Sequence, residues 1–194
     1  MPRIVHDPWR PTSNDGIDGQ RIAIVGYSHH LKRGDVDCKS LTRDVVRDVI
    51  KGTKKLAFFT SVQNYFGYDD PKDFWTRVLF FNFLPDCIGE SKDKFSKGSK
   101  EQTSLAKDRV LRILSKERPD KVFVFTTKGW QNFPNTIENV GDQPCTPLFP
   151  GSPEPSWVTY EMGDHRVLVC GFRHPQYAKG QNIKRQVEAF LAMH

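Results

Sequence analysis

Long apolar runs are absent from this sequence. No window approaches about 18 consecutive apolar residues, the length that a membrane-spanning helix needs. The first residues also lack the basic stretch followed by an apolar stretch that marks a secretory signal. We therefore expect a cytoplasmic protein with no segment in a membrane.

Cysteine is scarce and widely spaced. The four cysteines stand 25 or more residues apart, at Cys38, Cys87, Cys145 and Cys170. Because no C-x-x-C pair is present, the spacing predicts neither a zinc knuckle nor an iron–sulfur cluster. We expect reduced thiols, no metal site and no cofactor.

A strong charge bias is also missing. The 29 Lys and Arg residues exceed the 23 Asp and Glu residues, and the resulting net charge of +6 mildly favours an anionic partner. With 37% hydrophobic and 12% aromatic residues, the chain can form a packed core. We expect a monomer with a single domain over residues 1–194, of which 1–19 form an irregular N-terminal segment.

Four short runs of β-branched and aromatic residues predict buried strands. They are Arg21–Gly26, Val78–Phe83, Lys121–Thr126 and Arg166–Gly171. Their nearly continuous apolarity is typical of a parallel sheet that is covered on both faces. Helical patterns lie between the runs, over Ser40–Lys51, Ser104–Lys116 and Gln181–Met193. This alternation predicts an α/β fold, a three-layer α/β/α domain around a central four-stranded, mainly parallel sheet.

The segment Asn132–Ser156 is rich in Pro, Gly, Asn and Thr, and this composition predicts a long surface excursion before the last strand. In an open parallel sheet, ligands bind beyond the carboxyl ends of the strands. Four segments follow these ends: Gly26-Tyr27-Ser28-His29-His30, Asn82-Phe83-Leu84-Pro85, Thr127-Lys128-Gly129-Trp130 and Phe172-Arg173-His174-Pro175-Gln176. Their polar and ring-bearing side chains predict a functional site at this edge.

These segments, in this order, resemble the motifs of the uracil-DNA glycosylase superfamily, and the resemblance extends over about residues 20–193. It implies a uracil-DNA glycosylase-like fold, single- or double-stranded DNA as partner, and hydrolysis of an N-glycosidic bond in base-excision DNA repair. Asn82 stands where the family has an Asn that reads a flipped-out base. His174 stands where a His stabilises the departing base anion. Phe58 or Phe59 would supply the ring that stacks on the base.

The first motif departs from the family pattern. Where many members have an Asp, Asn or Glu that positions the attacking water, this chain has Tyr27, Ser28 and His29. Ser28 would then orient the water and His29 or His30 would accept its proton, with Asp35 or Asp37 as a further source of charge. Gly26 and Tyr27 are expected to line the base together with Phe58, Phe59 and Asn82.

The chemistry of these residue types suits base recognition. A base must leave the stack before an enzyme reaches its glycosidic bond. An aromatic ring stabilises the extruded base by about 1–3 kcal/mol. An Asn side chain pairs with an amide-like base edge, and an imidazole donates to an oxygen on which charge develops.

A basic loop and the residues after the last strand are expected to contact DNA. The loop residues are Lys92, Lys94, Lys97 and Lys100, and those after the strand are Arg173, Gln176, Tyr177 and Lys179. The basic side chains would bind phosphates, and Tyr177 would fill the space that the flipped base leaves. A prokaryotic protein of this kind would associate with the nucleoid.

Two alternatives come from other functional classes. A non-catalytic binder of nucleic acid or modified bases would keep the same fold without activating water. A serine hydrolase would use Ser28 in a partial G-x-S-x-G elbow, followed by Asp142 or Asp164 and then His174. The elbow's second Gly is replaced by His30, and no helical pattern begins directly after Ser28.

Overall fold

A six-stranded sheet organises the chain, with strand order β2-β1-β3-β6-β5-β4. The computed structural model describes residues 4–31, 36–88, 98–134, 145–178 and 183–194. The strands are β1 (Ile22–Gly26), β2 (Leu79–Asn82), β3 (Lys121–Val124), β4 (Thr146–Phe149), β5 (Ser152–Met162) and β6 (His165–Gly171). The helices are α1 (Leu41–Ile50), α2 (Ala57–Tyr65), α3 (Pro71–Trp75), α4 (Lys100–Glu117), α5 (Thr127–Gln131) and α6 (Ile183–Leu191). A 3-10 turn, Pro175–Tyr177, follows β6.

The four predicted strands form the parallel part of the sheet. β1 pairs with β2 on one side and with β3 on the other, and β3 pairs with β6, all in parallel. Every residue of β1, β2 and β3 is buried, as the nearly continuous apolar runs require. Their carboxyl ends therefore meet at one edge of the sheet.

The prediction of a four-stranded sheet was wrong, because an antiparallel hairpin extends it to six strands. β4 and the start of β5 lie within the segment that was predicted to be a surface excursion. Gly151 adopts a left-handed φ of 77° in the tight turn between them, a conformation that glycine adopts without strain. Pro147 lies on the outermost strand and Pro155 lies where β6 does not pair with β5, so neither removes a hydrogen bond from the β5–β6 ladder.

Helices cover both faces of the sheet, so the predicted three-layer arrangement is present. Ile22, Ile24 and Phe123 point to one face and pack against apolar residues of α1, α2, α3 and α6. Ala23 and Val25 point to the other face and pack against α4. The alternation follows from the two-residue period of a strand.

Helix α4 begins four residues earlier than predicted, at Lys100 instead of Ser104. Ser99 and Gln102 form a capping box that fixes this start. Lys100 therefore belongs to the helix and not to the basic loop. Short helices α2, α3 and α5 were not predicted. None of the helices in the described ranges is both long and apolar enough to cross a membrane.

Residues 4–19 form isolated bridges and turns instead of a helix or a named strand, yet they are part of the core. Trp9 forms an isolated antiparallel bridge with Phe80 of β2, and its indole nitrogen donates to the Trp75 carbonyl at 2.7 Å. His6, Trp9 and Ile17 are buried. The segment therefore covers the outer edge of β2.

Candidate functional site

Four residues meet at the carboxyl ends of β1, β2 and β6, and we call them the Asn82 cluster: Gly26, Phe58, Asn82 and His174. Gly26 and Asn82 are paired in register as the last residues of β1 and β2. A Cβ atom on Gly26 would lie 2.4 Å from Asn82 Oδ1 and 3.6 Å from Phe58 Cζ. The absence of a side chain at Gly26 thus lets the amide lie across the end of β1. The rings of Phe58 and His174 have centroids 5.5 Å apart.

Asn82 is 4% exposed, and its side-chain nitrogen is buried with no hydrogen-bond partner among the described residues. Leaving a buried donor unsatisfied costs about 1–3 kcal/mol. The backbone carbonyl of Asn82, in contrast, accepts a 2.7 Å hydrogen bond from Arg109. The main chain is held in place, while the side-chain nitrogen donates to no acceptor among the described residues.

His174 is oriented by the 3-10 turn that follows it. Its Nδ1 accepts the backbone N–H of Gln176 at 3.2 Å, and Pro175 fixes the backbone at the start of the turn. Since Nδ1 accepts, the proton of the neutral ring is on Nε2. Burial lowers the pKa of His174, so the neutral form predominates at pH 7. The residue is therefore a neutral hydrogen-bond donor.

The structure separates the two aromatic candidates of α2. Phe58 is half-buried beside His174 and belongs to the Asn82 cluster. Phe59 is buried in the core, with ring centroids 4.7 Å from Trp75 and 5.1 Å from Phe80. The structure therefore brings Phe58, but not Phe59, to the Asn82 cluster.

The side chains expected to activate water are engaged elsewhere. Ser28 Oγ donates to the His29 carbonyl at 2.8 Å, and His29 Nε2 lies 2.9 Å from Thr42 Oγ1. Burial, with a smaller contribution from His6, lowers the pKa of His29 to about 3, so His29 is a very weak base. Asp37 is hydrogen-bonded to His6. His30 is half-buried in the same loop, and Asp35 lies outside the described residues.

Tyr27 lies outside the Asn82 cluster, which corrects its expected role in base binding. Its ring stacks on Phe83 with centroids 6.5 Å apart, within the apolar layer on the α4 face. The hydroxyl accepts the Gly98 N–H at 3.1 Å. Successive residues of an extended segment point to opposite faces, which is why Gly26 and Tyr27 serve different sites.

A basic groove opens beside Tyr27. Its cavity measures about 480 Å3 and is lined by Tyr27, Gly98, Lys100, Thr103, Ser104, Lys107, Lys128, Gln131 and Asn132. Lys100 and Lys107 lie two turns apart on the same face of α4, and Lys128 Nζ is 5.8 Å from the Tyr27 ring centroid. Lys107 follows Lys100 by seven residues, and this spacing in the sequence is enough to place both lysines on one face of a helix. No sequence pattern indicates that Lys128 lines the same groove.

The other predicted DNA contacts divide into two groups. Arg173, Gln176 and Tyr177 are exposed after β6, and Tyr177 is 58% exposed with its ring 6.0 Å from His174. Lys92, Lys94, Lys97 and Lys179 lie outside the described residues.

A triad of Ser28, Asp164 and His174 is not formed. Asp164 directly precedes β6, while His174 follows its other end, so about 20 Å of strand separates them. Asp164 also pairs with Arg118 at 2.8 Å. Asp142 lies outside the described residues.

Arg109 is a positioning residue that the sequence did not reveal. It is 5% exposed and donates to the backbone carbonyls of Asn82 and His6, both at 2.7 Å. Burial lowers its pKa to about 10, which leaves it charged at pH 7. No local pattern distinguishes such a buried arginine from the exposed ones on α4.

The fold and the site together define an α/β protein whose polar cluster lies beyond the carboxyl ends of a mostly parallel sheet, where such folds bind ligands. No protein-family model matches this chain, and no curated protein matches it.

Proposed function

We propose that this protein binds DNA, receives a flipped-out uracil or other deaminated or modified base in the Asn82 cluster, and excises it as a DNA glycosylase of the uracil-DNA glycosylase type. The observation that carries the proposal is the buried side-chain nitrogen of Asn82, which has no partner among the described residues. A stacking ring, Phe58, and a neutral donor, His174, lie in the same cluster.

The amide of Asn82 complements the edge of a deaminated base. Uracil and hypoxanthine each present a carbonyl oxygen next to a ring N–H. Asn82 Nδ2 can donate to that oxygen while Oδ1 accepts from the ring N–H. The ligand would then satisfy the donor that has no partner among the described residues.

His174 would act on the leaving group. When the N-glycosidic bond breaks, its electron pair stays with the base and negative charge develops on a base oxygen. A donor already aimed at that oxygen stabilises the transition state more than the ground state. The neutral ring offers its Nε2–H for this purpose, because Nδ1 is occupied by the Gln176 amide. Water then adds its oxygen to the sugar carbon, and the proton that it loses neutralises the departing base anion.

The basic groove supports DNA as the partner. It adjoins the Asn82 cluster through the neighbouring residues Gly26 and Tyr27, and it presents Lys100, Lys107 and Lys128. Phosphate contacts on one side of the cluster would position the strand while the extruded base enters it.

The test uses oligonucleotides that carry uracil or hypoxanthine, single- and double-stranded. Alkaline cleavage reports abasic sites and mass spectrometry identifies the released base. His174→Ala should lower turnover by about 10²–10³ with little change in DNA affinity. His165→Ala, at the other end of β6, is the matched control and should retain activity. Equal activity of wild type and His174→Ala would contradict the assignment.

A second candidate function is a non-catalytic reader of modified bases. The observation that favours it is that Ser28, His29 and Asp37 use their side chains in hydrogen bonds within the protein. This candidate predicts selective, salt-sensitive binding of DNA that contains the modified base, without abasic product. Release of free base in a single-turnover reaction would exclude it.

A further inference from the structure

Three side chains with different metal-binding chemistries meet outside the Asn82 cluster: His6, Asp37 and Cys87. Their ligand atoms all lie within 4.8 Å of one another. His6 Nε2 is 2.6 Å from Asp37 Oδ1, and the Cys87 thiol lies 3.6 Å from the same oxygen. We infer that His6, Asp37 and Cys87 form a binding site for a divalent transition metal, with Zn²⁺ as the ion that fits best.

Backbone hydrogen bonds hold the three ligand segments together. The amide of His6 donates to the Pro85 carbonyl at 2.8 Å, and Cys87 lies two residues further along. The amide of Asp7 donates to the Lys39 carbonyl at 2.8 Å, two residues after Asp37. The N-terminal segment therefore brings the β1–α1 and β2–α4 connections into one place, and the arrangement does not depend on long, freely rotating side chains.

The ligand types favour zinc over harder cations. Zn²⁺ binds Cys, His and carboxylate ligands at about 2.0–2.3 Å in tetrahedral geometry, which places ligand atoms roughly 3.3–3.8 Å apart. The 3.6 Å between Cys87 and Asp37 lies within that range. His6 and Asp37 would separate by about 1 Å as the ion replaces the hydrogen bond between them. Calcium and magnesium prefer oxygen ligands and do not select a thiolate.

The His6 side chain is a fixed ligand. It is 2% exposed, and its Nε2 faces the Asp37 carboxylate at 2.6 Å. Its Nδ1 is buried with no partner in the part of the chain that the structure describes. A divalent ion bound at Nε2 would take the place of the Cys87 thiol proton and would neutralise the Asp37 carboxylate.

Cys38 is the candidate for a fourth ligand. It follows Asp37 directly and is half-buried, and its Sγ, which lies 3.4 Å from Ser40 Oγ, would turn toward the ion. The His29 ring also lies beside the site, 5.4 Å from the His6 ring. Metal binding would therefore stabilise the junction between the N-terminal segment and the loop after β1. The metal site does not depend on base recognition by the Asn82 cluster.

The first experiment titrates the metal-free full-length protein with Co²⁺, which replaces zinc and has an absorption spectrum. We expect one equivalent to produce visible d–d bands of a tetrahedral site and a thiolate-to-cobalt charge-transfer band. Cys87→Ser should lose the charge-transfer band or reduce it strongly, whereas Cys145→Ser, which removes an exposed thiol elsewhere, should retain it. Failure to produce the band, or a band of undiminished intensity in Cys87→Ser, overturns the proposal.

A second measurement needs no variant and so does not depend on a variant's folding. Zn²⁺ at about a hundredfold excess over its Kd should raise the Tm by about 5–10 °C. It should also protect Cys87, but not Cys145, from alkylation followed by mass spectrometry. If Zn²⁺ neither changes the Tm nor slows the alkylation of Cys87, the metal site is overturned and Cys87 is a thiol that binds no metal.

Discussion

Gly26 illustrates how much of the site depends on single residues. The Asn82 amide lies across the end of β1 because Gly26 has no side chain. A Cβ atom at Gly26 would also lie 3.6 Å from Phe58 Cζ. Its place in the site could be predicted, because a glycine ends the first apolar run and an asparagine ends the second. Which of Phe58 and Phe59 lies at the site could not be predicted, since the two rings are neighbours in the sequence and only the packing of α2 decides which one enters the core.

Gly26→Ala is expected to displace the Asn82 amide, because the new Cβ would lie 2.4 Å from Oδ1. Discrimination between modified and undamaged DNA should fall by about 1–3 kcal/mol, the contribution of a well-formed bidentate pair. Competition binding with uracil-containing and undamaged oligonucleotides measures the change. A variant with wild-type Tm and undiminished selectivity would remove Asn82 from the recognition mechanism.

His29 should make the stability sensitive to acid. In the folded protein burial lowers the pKa of His29 to about 3, whereas the unfolded chain has the ordinary imidazole pKa of about 6.5. Unfolding therefore takes up a proton between these values, and stability falls as pH decreases from about 6.5 toward about 3, with a slope of at most about 1.4 kcal/mol per pH unit. In His29→Gln this contribution disappears. Urea unfolding at several pH values compares the slopes, and equal slopes would contradict the assignment.

At the scale of elements, α4 serves two sites at once. One face presents Lys100 and Lys107 to the basic groove, and another buries Arg109 against the carbonyls of Asn82 and His6. The helix itself was predictable from its apolar spacing. The hairpin of β4 and β5 could not be predicted, because its prolines and glycine are also typical of a surface loop. Only the pairing of β5 with β6 shows that these residues lie where they remove no hydrogen bond from the β5–β6 ladder.

Arg109→Met should destabilise the fold by about 2–4 kcal/mol, because two buried carbonyls lose a charged donor. Urea unfolding monitored by fluorescence measures the difference. Arg112→Met is the matched control, since Arg112 is exposed three residues along the same helix and its loss should stay within about 0.5 kcal/mol. Similar effects of the two substitutions would show that the buried hydrogen bonds contribute little.

At the scale of the whole molecule, the net charge of +6 mildly favours an anionic partner but does not indicate where it would bind. The fold brings Lys128 to the helix that carries Lys100 and Lys107, although they come from different parts of the chain. The cluster of His6, Asp37 and Cys87 is likewise a product of tertiary structure. Its members are separated by 31 and 50 residues, so spacing arguments that find zinc knuckles do not detect it.

Replacing Lys100, Lys107 and Lys128 together by Gln should weaken DNA binding and make it less dependent on salt. If each lysine contacts one phosphate of a duplex, the slope of log K against log salt should become shallower by about 2–3. Fluorescence anisotropy at several salt concentrations measures it. Lys116→Gln, at the far end of α4, is the control and should retain the wild-type slope. An unchanged slope in the triple variant would place the DNA path elsewhere.

The bridge between Trp9 and β2 has a consequence for how the protein behaves at high concentration. β2 is an outermost strand of the sheet and is entirely apolar except for Asn82. An uncovered strand of this kind pairs with the same strand of another molecule. Trp9 occupies the backbone hydrogen-bonding groups of Phe80 and so blocks that pairing. The segment around Trp9 thus protects this edge of the sheet from self-association, and we expect its removal to make the folded protein aggregate.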